Sequence, residues 1–346
     1  MKAAPRLLLL HFAFLLLTFT SERLKVFVTG GAGYVGSVCV EELLQRGDEV
    51  VVFDNLSEGH RLSIDHRATF IQGDLLDLKS ISLAIDTSEP DAVMHFAANA
   101  LVAESMRNPY KYFQNNVYGG LNLLRAMIES GVGRIVFSST CATFGTPDRI
   151  PIDESTPQNP INPYGESKLM FEKILRWFEQ IHGLTFVALR YFNVAGASEK
   201  FGEHHRVETH LIPRVLQVAL GRAPHAEIYG TDFPTPDGTC IRDYIHVLDL
   251  ASAHILALST QQSDFFNLGT GGGTSVREVI DACRKITGHP IPAVEKPRRQ
   301  GDPPRLVASS EKAKEQLGWK PQFENIETIV GSAWRWHAAH PDGYED

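Results

Sequence analysis

Residues 25–55 read KVFVTGGAGYVGSVCVEELLQRGDEVVVFDN, and the fold is decided there. Val26, Phe27 and Val28 form a short run rich in β-favouring residues. Gly30, Gly31, Gly33 and Gly36 then crowd one turn, and Val40, Leu43 and Leu44 recur at helical spacing until Gly47. Residues 49–53 make a second buried run that ends in Asp54-Asn55. Strand, glycine turn, helix, strand and acid follow one another as in a dinucleotide-binding βαβ unit. The glycines let the backbone close on an anion at the helix N-terminus, where free N–H groups and the dipole favour negative charge. Asp54, about 20 residues on, is placed to accept from a ribose hydroxyl, and its charge repels a 2′-phosphate. The expected cofactor is NAD rather than NADP, with Gly30, Gly33 and Gly36 beneath its pyrophosphate.

The alternation continues outward from this unit. Residues 69–72 read as a strand leading to Gly73-Asp74-Leu75, residues 79–88 as a helix, and residues 92–96 as a strand running into Ala97-Ala98-Asn99-Ala100. A long helix over 110–129 carries Asn115 and Asn116; strands over 134–138 and 185–190 end at Ser139-Thr140 and Tyr191-Phe192-Asn193. The pattern predicts an α/β, Rossmann-like doubly wound parallel sheet. Its ligand crevice would lie beyond the strands' carboxyl ends, where Asp74, Phe96, Thr140 and the glycine turn collect. Each of these residues taken alone also suits a helix cap or turn.

Tyr164-Gly165-Glu166-Ser167-Lys168 opens a segment whose Leu169, Phe171, Ile174, Leu175 and Phe178 repeat at helical spacing. Tyr164 and Lys168 stand four apart and share one helix face. An ammonium beside a phenol favours the phenolate and lowers the tyrosine from its usual pKa of about 10, which would make Tyr164 a general base. The same pattern also describes a tyrosine at a core edge with a solvated lysine.

With 346 residues, 43% of them apolar, the chain can bury a substantial core in two units. We expect a first domain over 23–192 and a smaller mixed α/β substrate lobe over 193–346 that sends residues 239–258 back against the first. Lobe helices are expected over 209–220, 247–258, 275–287 and 326–340. A net charge of −8 without a Lys/Arg block argues against nucleic acid and for a small-molecule partner. Cys39, Cys141, Cys240 and Cys283 are scattered, as free thiols of a reducing compartment would be. Glu203, His204, His205, Glu208 and His210 carry metal-ligand types but lack the His-Glu-x-x-His spacing, so a loop of solvated histidines and no metal are expected. Arg242, Arg298 and Arg299 offer forks that suit phosphate, with surface ion pairs as the alternative.

Six segments taken together carry a resemblance. Residues 28–37 (VTGGAGYVGS), 137–145 (FSSTCATFG), 163–168 (PYGESK), 189–197 (LRYFNVAGA), 237–250 (DGTCIRDYIHVLDL) and 298–302 (RRQGD) resemble, in this order, the UDP-glucose 4-epimerases. These are sugar-nucleotide epimerases of the extended short-chain dehydrogenase/reductase family. The likeness runs from about residue 25 to the closing His340-Pro341-Asp342-Gly343-Tyr344. It implies an isomerase in which Tyr164 takes the proton of the sugar 4-hydroxyl while NAD takes the hydride of carbon 4. Lys168 would hold the nicotinamide ribose, and Thr140 would hydrogen-bond the sugar oxygen. By the same resemblance Tyr34, Val35, Asp54, Asn55, Asp74, Leu75, Phe96, Ala97, Asn115 and Phe192 match cofactor positions. Asn193, Tyr229, Arg242, Arg299 and Asp302 match substrate positions, with the arginines on the diphosphate of a UDP-sugar. A homodimer is implied on the same footing.

There are departures from the family pattern. Ala100 stands where many relatives place a lysine near the cofactor, and His210 holds a substrate position often occupied by asparagine. Leu306 sits where residue size controls access for a sugar 2-substituent, so UDP-N-acetylglucosamine stays open. Thr140-Cys141-Ala142 also resembles UDP-arabinose 4-epimerases, which keeps pentoses open. A sugar-nucleotide dehydratase would need acidic groups directly after the threonine, and Cys141-Ala142 stand there. A UDP-glucuronate enzyme needs a partner for the substrate carboxylate, and a non-catalytic NAD-binding regulator would not require Thr140, Tyr164 and Lys168 together.

Residues 1–22 have the layout of a secretory signal, with Lys2 and Arg6 before an apolar run over 7–19. That run is short for a membrane span, no Ala-x-Ala-like site follows it, and the first strand begins almost at once, as a mis-assigned start codon would also produce. A cytoplasmic enzyme is expected, with this segment foreign to the fold. N-terminal sequencing of protein from its native cell should find it in the soluble fraction; a membrane-retained form starting before Leu7 would overturn this.

Overall fold

A computed structural model describes residues 23–299 and 302–345; the leader-like segment and the middle of the RRQGD stretch fall outside them. Seven strands form one sheet: β1 (Lys25–Thr29), β2 (Glu49–Asp54), β3 (Thr69–Gln72), β4 (Ala92–His95), β5 (Arg134–Thr140), β6 (Thr185–Tyr191) and β7 (Asp264–Leu268). The order is β7-β6-β5-β4-β1-β2-β3, every pairing parallel. Connections leave β1 toward β2 on one side and return to β4 on the other, so the switch point, where ligands bind, opens between the ends of β1 and β4.

Both faces are covered because alternate strand residues point to opposite sides. Val26, Val28, Val50, Val52, Met94, Val136 and Val187 pack with Val40 and Leu43 of helix α1 (Tyr34–Arg46) and with Leu250, Ala253 and Ala257. Phe27, Val51, Phe53, Val93, Ile135 and Phe137 pack with Ile81, Leu123, Met127, Phe171 and Leu175 on the other face. Each fully buried side chain of this kind contributes about 1.5–3 kcal/mol.

Beyond β6 the chain builds a smaller cluster from helices Leu211–Ala219, Val276–Thr287 and Ile326–Ala339, around Val215, Leu216, Val279, Ile280 and Val330. Short strands join this lobe to the sheet: Asn193–Ala195 pairs with Tyr244–His246, and Ile241–Arg242 lies between Thr274–Ser275 and Arg305–Leu306. The helix Val247–Ala257 lies against α1, and β7 extends the sheet beyond β6; the sequence reading assigned no strand to residues 264–268.

Buried Asp243 fastens these pieces. Its carboxylate accepts from the Thr270 N–H (2.7 Å), the Gly271 N–H (2.9 Å) and the Ala308 N–H (3.0 Å). Asp249 does likewise for the Gln322 and Phe323 N–H groups at 2.8 and 2.9 Å. The acids of the RDYIHVLDL stretch are thus anchors of returning chain.

Candidate active site

Helix α1 begins at an extended Gly33 with no side chain capping its first N–H groups, which leaves them available to an anion. Gly30 adopts φ +75°, and a Cβ there would stand 2.4 Å from the Ala97 nitrogen, so only glycine fits. The turn therefore keeps an uncapped helix end and a bare backbone at the switch point, which fits a dinucleotide pyrophosphate. Asp54 sits behind it, accepting from the Ala32 N–H at 3.0 Å and the Leu56 N–H at 2.8 Å. Burial pushes its carboxyl up, and those two N–H groups oppose the shift. Asn55 donates to Asp74 at 3.0 Å, and Asp74 accepts from the Leu76 N–H at 2.8 Å, tying the ends of β2 and β3 together.

A cleft of about 960 Å³ runs from this turn into the lobe. Gly30, Gly33, Tyr34, Val35, Gly36, Phe96, Thr140, Tyr164, Lys168 and Phe192 line its sheet side; Asn193, His210, Tyr229, Arg242, Arg299, Asp302 and Leu306 line its lobe side. Asp54, Asn55, Asp74, Leu75, Ala97 and Asn115 are not on its wall: the acids and Asn55 brace the strand ends, and Leu75 is buried in the core. The Asn115 side-chain amide donates to Asn116 at 3.1 Å. Tyr34 donates its hydroxyl to the Gly196 carbonyl at 2.6 Å, joining α1 to the lobe.

Tyr164 is carried by the helix Pro163–His182. Asn162 caps it by accepting from the Gly165 N–H at 2.8 Å, and Pro163 fits the first turn, where its missing N–H costs nothing. A Cβ on Gly165 would stand 2.4 Å from the Ala142 carbonyl oxygen, so this glycine lets the helix lie directly on the turn after Thr140. Thr140 ends β5 and accepts from the Ala142 N–H at 3.1 Å. The helix is locked by polar bonds that sequence reasoning did not find. Asn116 donates to Ser167 at 3.0 Å and to the Asn99 carbonyl at 3.0 Å. Arg190 forks onto Glu172 at 2.9 and 2.7 Å, and Ser139 donates to the same carboxylate at 2.6 Å.

Lys168 corrects an expectation. Its ammonium donates to the Ser138 carbonyl at 2.8 Å and lies 4.9 Å from the Phe137 ring centre, and the side chain is buried. The expected lowering of the Tyr164 pKa is absent: burial pushes the phenol up to about 12, Cys141 adds to the rise, and the hydrogen bond with Thr140 opposes it. Burial also brings Lys168 down to about 7, with Glu172 pulling the other way. Desolvation is the largest influence on both groups, with Lys168 buried and Tyr164 half-buried in the cleft wall.

The lobe arginines divide. Arg299 stacks on the Tyr229 ring at 4.0 Å, and Arg242 donates to the Pro303 carbonyl at 2.9 Å and pairs with Asp302 at 3.5 Å. Arg298 is engaged by Asp232 at 2.6 Å and stands outside the cleft. The histidines of the 203–210 loop are half-exposed, and two of them close on a buried acid. Glu203 is only 4% exposed, and its carboxylate meets His210 at 3.0 Å and His205 at 3.2 Å. For His210, burial works downward but Glu203 and Glu208 overcome it and raise the ring to about 10.

Comparison with known proteins places this geometry. Residues 26–269 match the NAD dependent epimerase/dehydratase family. A UDP-glucose 4-epimerase of Streptococcus mutans is 54% identical over 331 residues, spanning 93% of this chain and 99% of that protein. A crystal structure of a UDP-glucose 4-epimerase superposes with a TM-score of 0.91 at 52% identity, covering 93% of this chain and 100% of the other. The Bifidobacterium longum UDP-glucose 4-epimerase in complex with NAD+ and UDP gives 0.88 at 39% identity, covering 92% and 100%.

The Lys168 environment generates a signed expectation. Folded Lys168 gives up its proton near 7, whereas an unfolded lysine keeps it to about 10.4, so between these values the unfolded chain binds the extra proton and Lys168 makes stability rise with pH. Lys168→Met removes that titration. Urea unfolding of both proteins across this window should show the variant's stability relative to the parent falling as pH rises; a constant difference would overturn the assignment.

Proposed function

The chain belongs to the NAD-dependent epimerase/dehydratase family, and from that membership we propose that it reversibly inverts carbon 4 of a UDP-sugar, with UDP-glucose and UDP-galactose as the pair. The observation that carries the reading is the meeting of Thr140, Tyr164 and Lys168 at the end of β5 in the cleft that also holds the glycine turn. Cys141 and Ala142 follow Thr140 where elimination would call for carboxylic acids, so reversible oxidation at one carbon is favoured over dehydration.

NAD, when bound, supplies a hydride acceptor for carbon 4 and gives the hydride back, so no external reductant is consumed. The uncapped start of α1 and Gly30 would hold its pyrophosphate, and the Asp54 carboxylate its ribose. Tyr164 takes the proton of the sugar 4-hydroxyl during oxidation and returns it during reduction, so the proton count closes over one cycle. Its phenol ionises only with a positive charge close by, and the chain's own source is Lys168, one helical turn on. Thr140 donates to the same oxygen and fixes it over the phenol. Arg242 and Arg299 face the lobe side of the cleft, where their forks suit a diphosphate, and Tyr229 offers a ring for the base. Leu306, half-buried in the wall, sets the room beside the sugar. We place the activity in galactose metabolism and UDP-sugar supply in the cytoplasm, supported by four unpaired thiols. Among the described residues no helix is long and apolar enough to cross a membrane.

A homodimer is favoured by an apolar strip on two adjacent helical segments. Tyr110 and Tyr118 on one and Met170, Trp177 and Ile181 on the other are exposed, Trp177 to 64% and Ile181 to 67%. Residues 170, 177 and 181 are seven and four apart and share a helix face. Light scattering of the purified chain should give twice the chain mass, with Trp177→Glu reducing it to one; a monomeric parent would remove this part.

Purified protein should interconvert UDP-glucose and UDP-galactose without added reductant, and a panel including UDP-N-acetylglucosamine and UDP-xylose would rank the sugar held at Leu306. Tyr164→Phe should retain NAD and lower turnover by at least about 100-fold, the usual range for a general base. Turnover of no UDP-sugar at saturating NAD, or full turnover by the variant, would sink the reading.

A further inference from the structure

The segment between residues 201 and 210 is irregular, yet it is tied down from several directions. The Tyr344 N–H donates to His204 at 3.1 Å, and the Gly202 N–H donates to the Tyr344 hydroxyl at 3.1 Å. Arg206 donates to the Gly59 carbonyl at 3.1 Å, in the loop after Asp54. His205 presents its ring edge-on to Tyr34 with centres 6.3 Å apart. At the middle of this strap Glu203, His205, Glu208 and His210 each turn one ligand atom inward, and these four atoms all lie within 4.8 Å of one another.

We propose that Glu203, His205, Glu208 and His210 form a binding site for one divalent transition ion of the zinc type, clamping this strap beside the nucleotide turn. The donor set decides the class of ion. Two imidazoles depart from the all-oxygen preference of calcium and magnesium, and the lack of thiolate argues against soft monovalent ions, which leaves the divalent first-row ions; four donors without an open position suit zinc among them. The spacing decides the geometry. Bonds of about 2.0–2.1 Å in a tetrahedron place neighbouring ligand atoms about 3.3–3.4 Å apart. The separations here are 3.2 Å for Glu203 to His205, 3.0 Å for Glu203 to His210 and 3.0 Å for Glu208 to His210. These three pairs need to open by a few tenths of an ångström, and the widest separation in the cluster, within 4.8 Å, needs to close by up to about 1.5 Å. The two carboxylates also provide the negative charge that compensates a dication. His205 and His210 border the cleft, so the ion has a route in from solvent. This assignment takes His210 as a ligand of the ion in place of the substrate position the resemblance implies, and leaves the other substrate residues as proposed.

The test uses the full untagged chain freed of metal with a chelator and titrated with cobalt(II), whose tetrahedral complexes absorb strongly in the visible. One equivalent should bind with a tetrahedral spectrum, zinc should displace it, and the melting temperature should rise with ion concentration. The His205 side chain is 30% exposed, so His205→Gln can be made without opening the core. That variant and Glu208→Gln should each weaken cobalt binding by at least about tenfold, the loss that even an outer-sphere partner produces. Absence of saturable binding below about millimolar cobalt, far weaker than a structural zinc site, would mean a hydrogen-bonded cluster only and overturn the proposal. Binding left unchanged in both variants would place the ion elsewhere and overturn it equally.

Discussion

The backbone at Gly30 passes the backbone at Ala97 so closely that a Cβ would stand 2.4 Å from a main-chain nitrogen. That contact joins the carboxyl ends of β1 and β4, the pair of strands between which the winding of the sheet reverses. Because no side chain fills the gap, the first turn of α1 faces the cleft with its N–H groups bare. A larger residue would force the strand ends apart and remove the anion site with the same displacement. A second close approach, Gly165 on the Ala142 carbonyl, does for the Tyr164 helix what Gly30 does for α1. Both reacting edges of the cleft are thus set by main-chain contact, which is stiffer than contact between flexible side chains.

Stiffness on the Tyr164 side comes from buried polar bonds. Glu172 lies two helical turns beyond Tyr164 and collects Arg190 from β6 and Ser139 from β5. Asn116, from the neighbouring helix, binds Ser167 and both backbone groups of Asn99. An ion pair this deep contributes little net stability once desolvation is counted, but removing one partner strands the other and costs about 3–5 kcal/mol. Such bonds fix register: they specify which turn of the helix faces Thr140.

Much of this was legible in the sequence, and the boundary has a physical cause. The glycine turn, Asp54 and the first six strands are local signals, since short continuous apolar runs and a helix start can be read within a window of ten or so residues. The seventh strand was not legible, because Asp264–Leu268 joins the sheet only by pairing with β6 far back in the chain. Asp243 and Asp249 looked like parts of a functional motif and are anchors for Gly271, Ala308, Gln322 and Phe323. Their role depends on which distant N–H groups arrive. Spacing put Tyr164 and Lys168 on one helix face but could not tell that the ammonium would find Ser138.

That last miss bears on how such a pair can work. Burial raises the Tyr164 phenol and lowers the Lys168 ammonium, so each group moves toward its neutral form. A phenol raised to about 12 holds its proton at neutral pH, while an amine brought down to about 7 is poised between its charged and neutral forms. Transfer of one proton from the phenol to the amine would create opposite charges a helical turn apart. Desolvation opposes that ion pair until other charges or dipoles stabilise it. On the proposed reading, a substrate hydroxyl held by Thr140 would add a hydrogen bond to the phenolate, and a ribose held by Lys168 would add one to the ammonium. The ionised pair would then become favourable only with both ligands in place. Coupling of this kind would tie proton abstraction to a filled cleft without any moving lid, since burial opposes the ion pair and the two ligands would stabilise it.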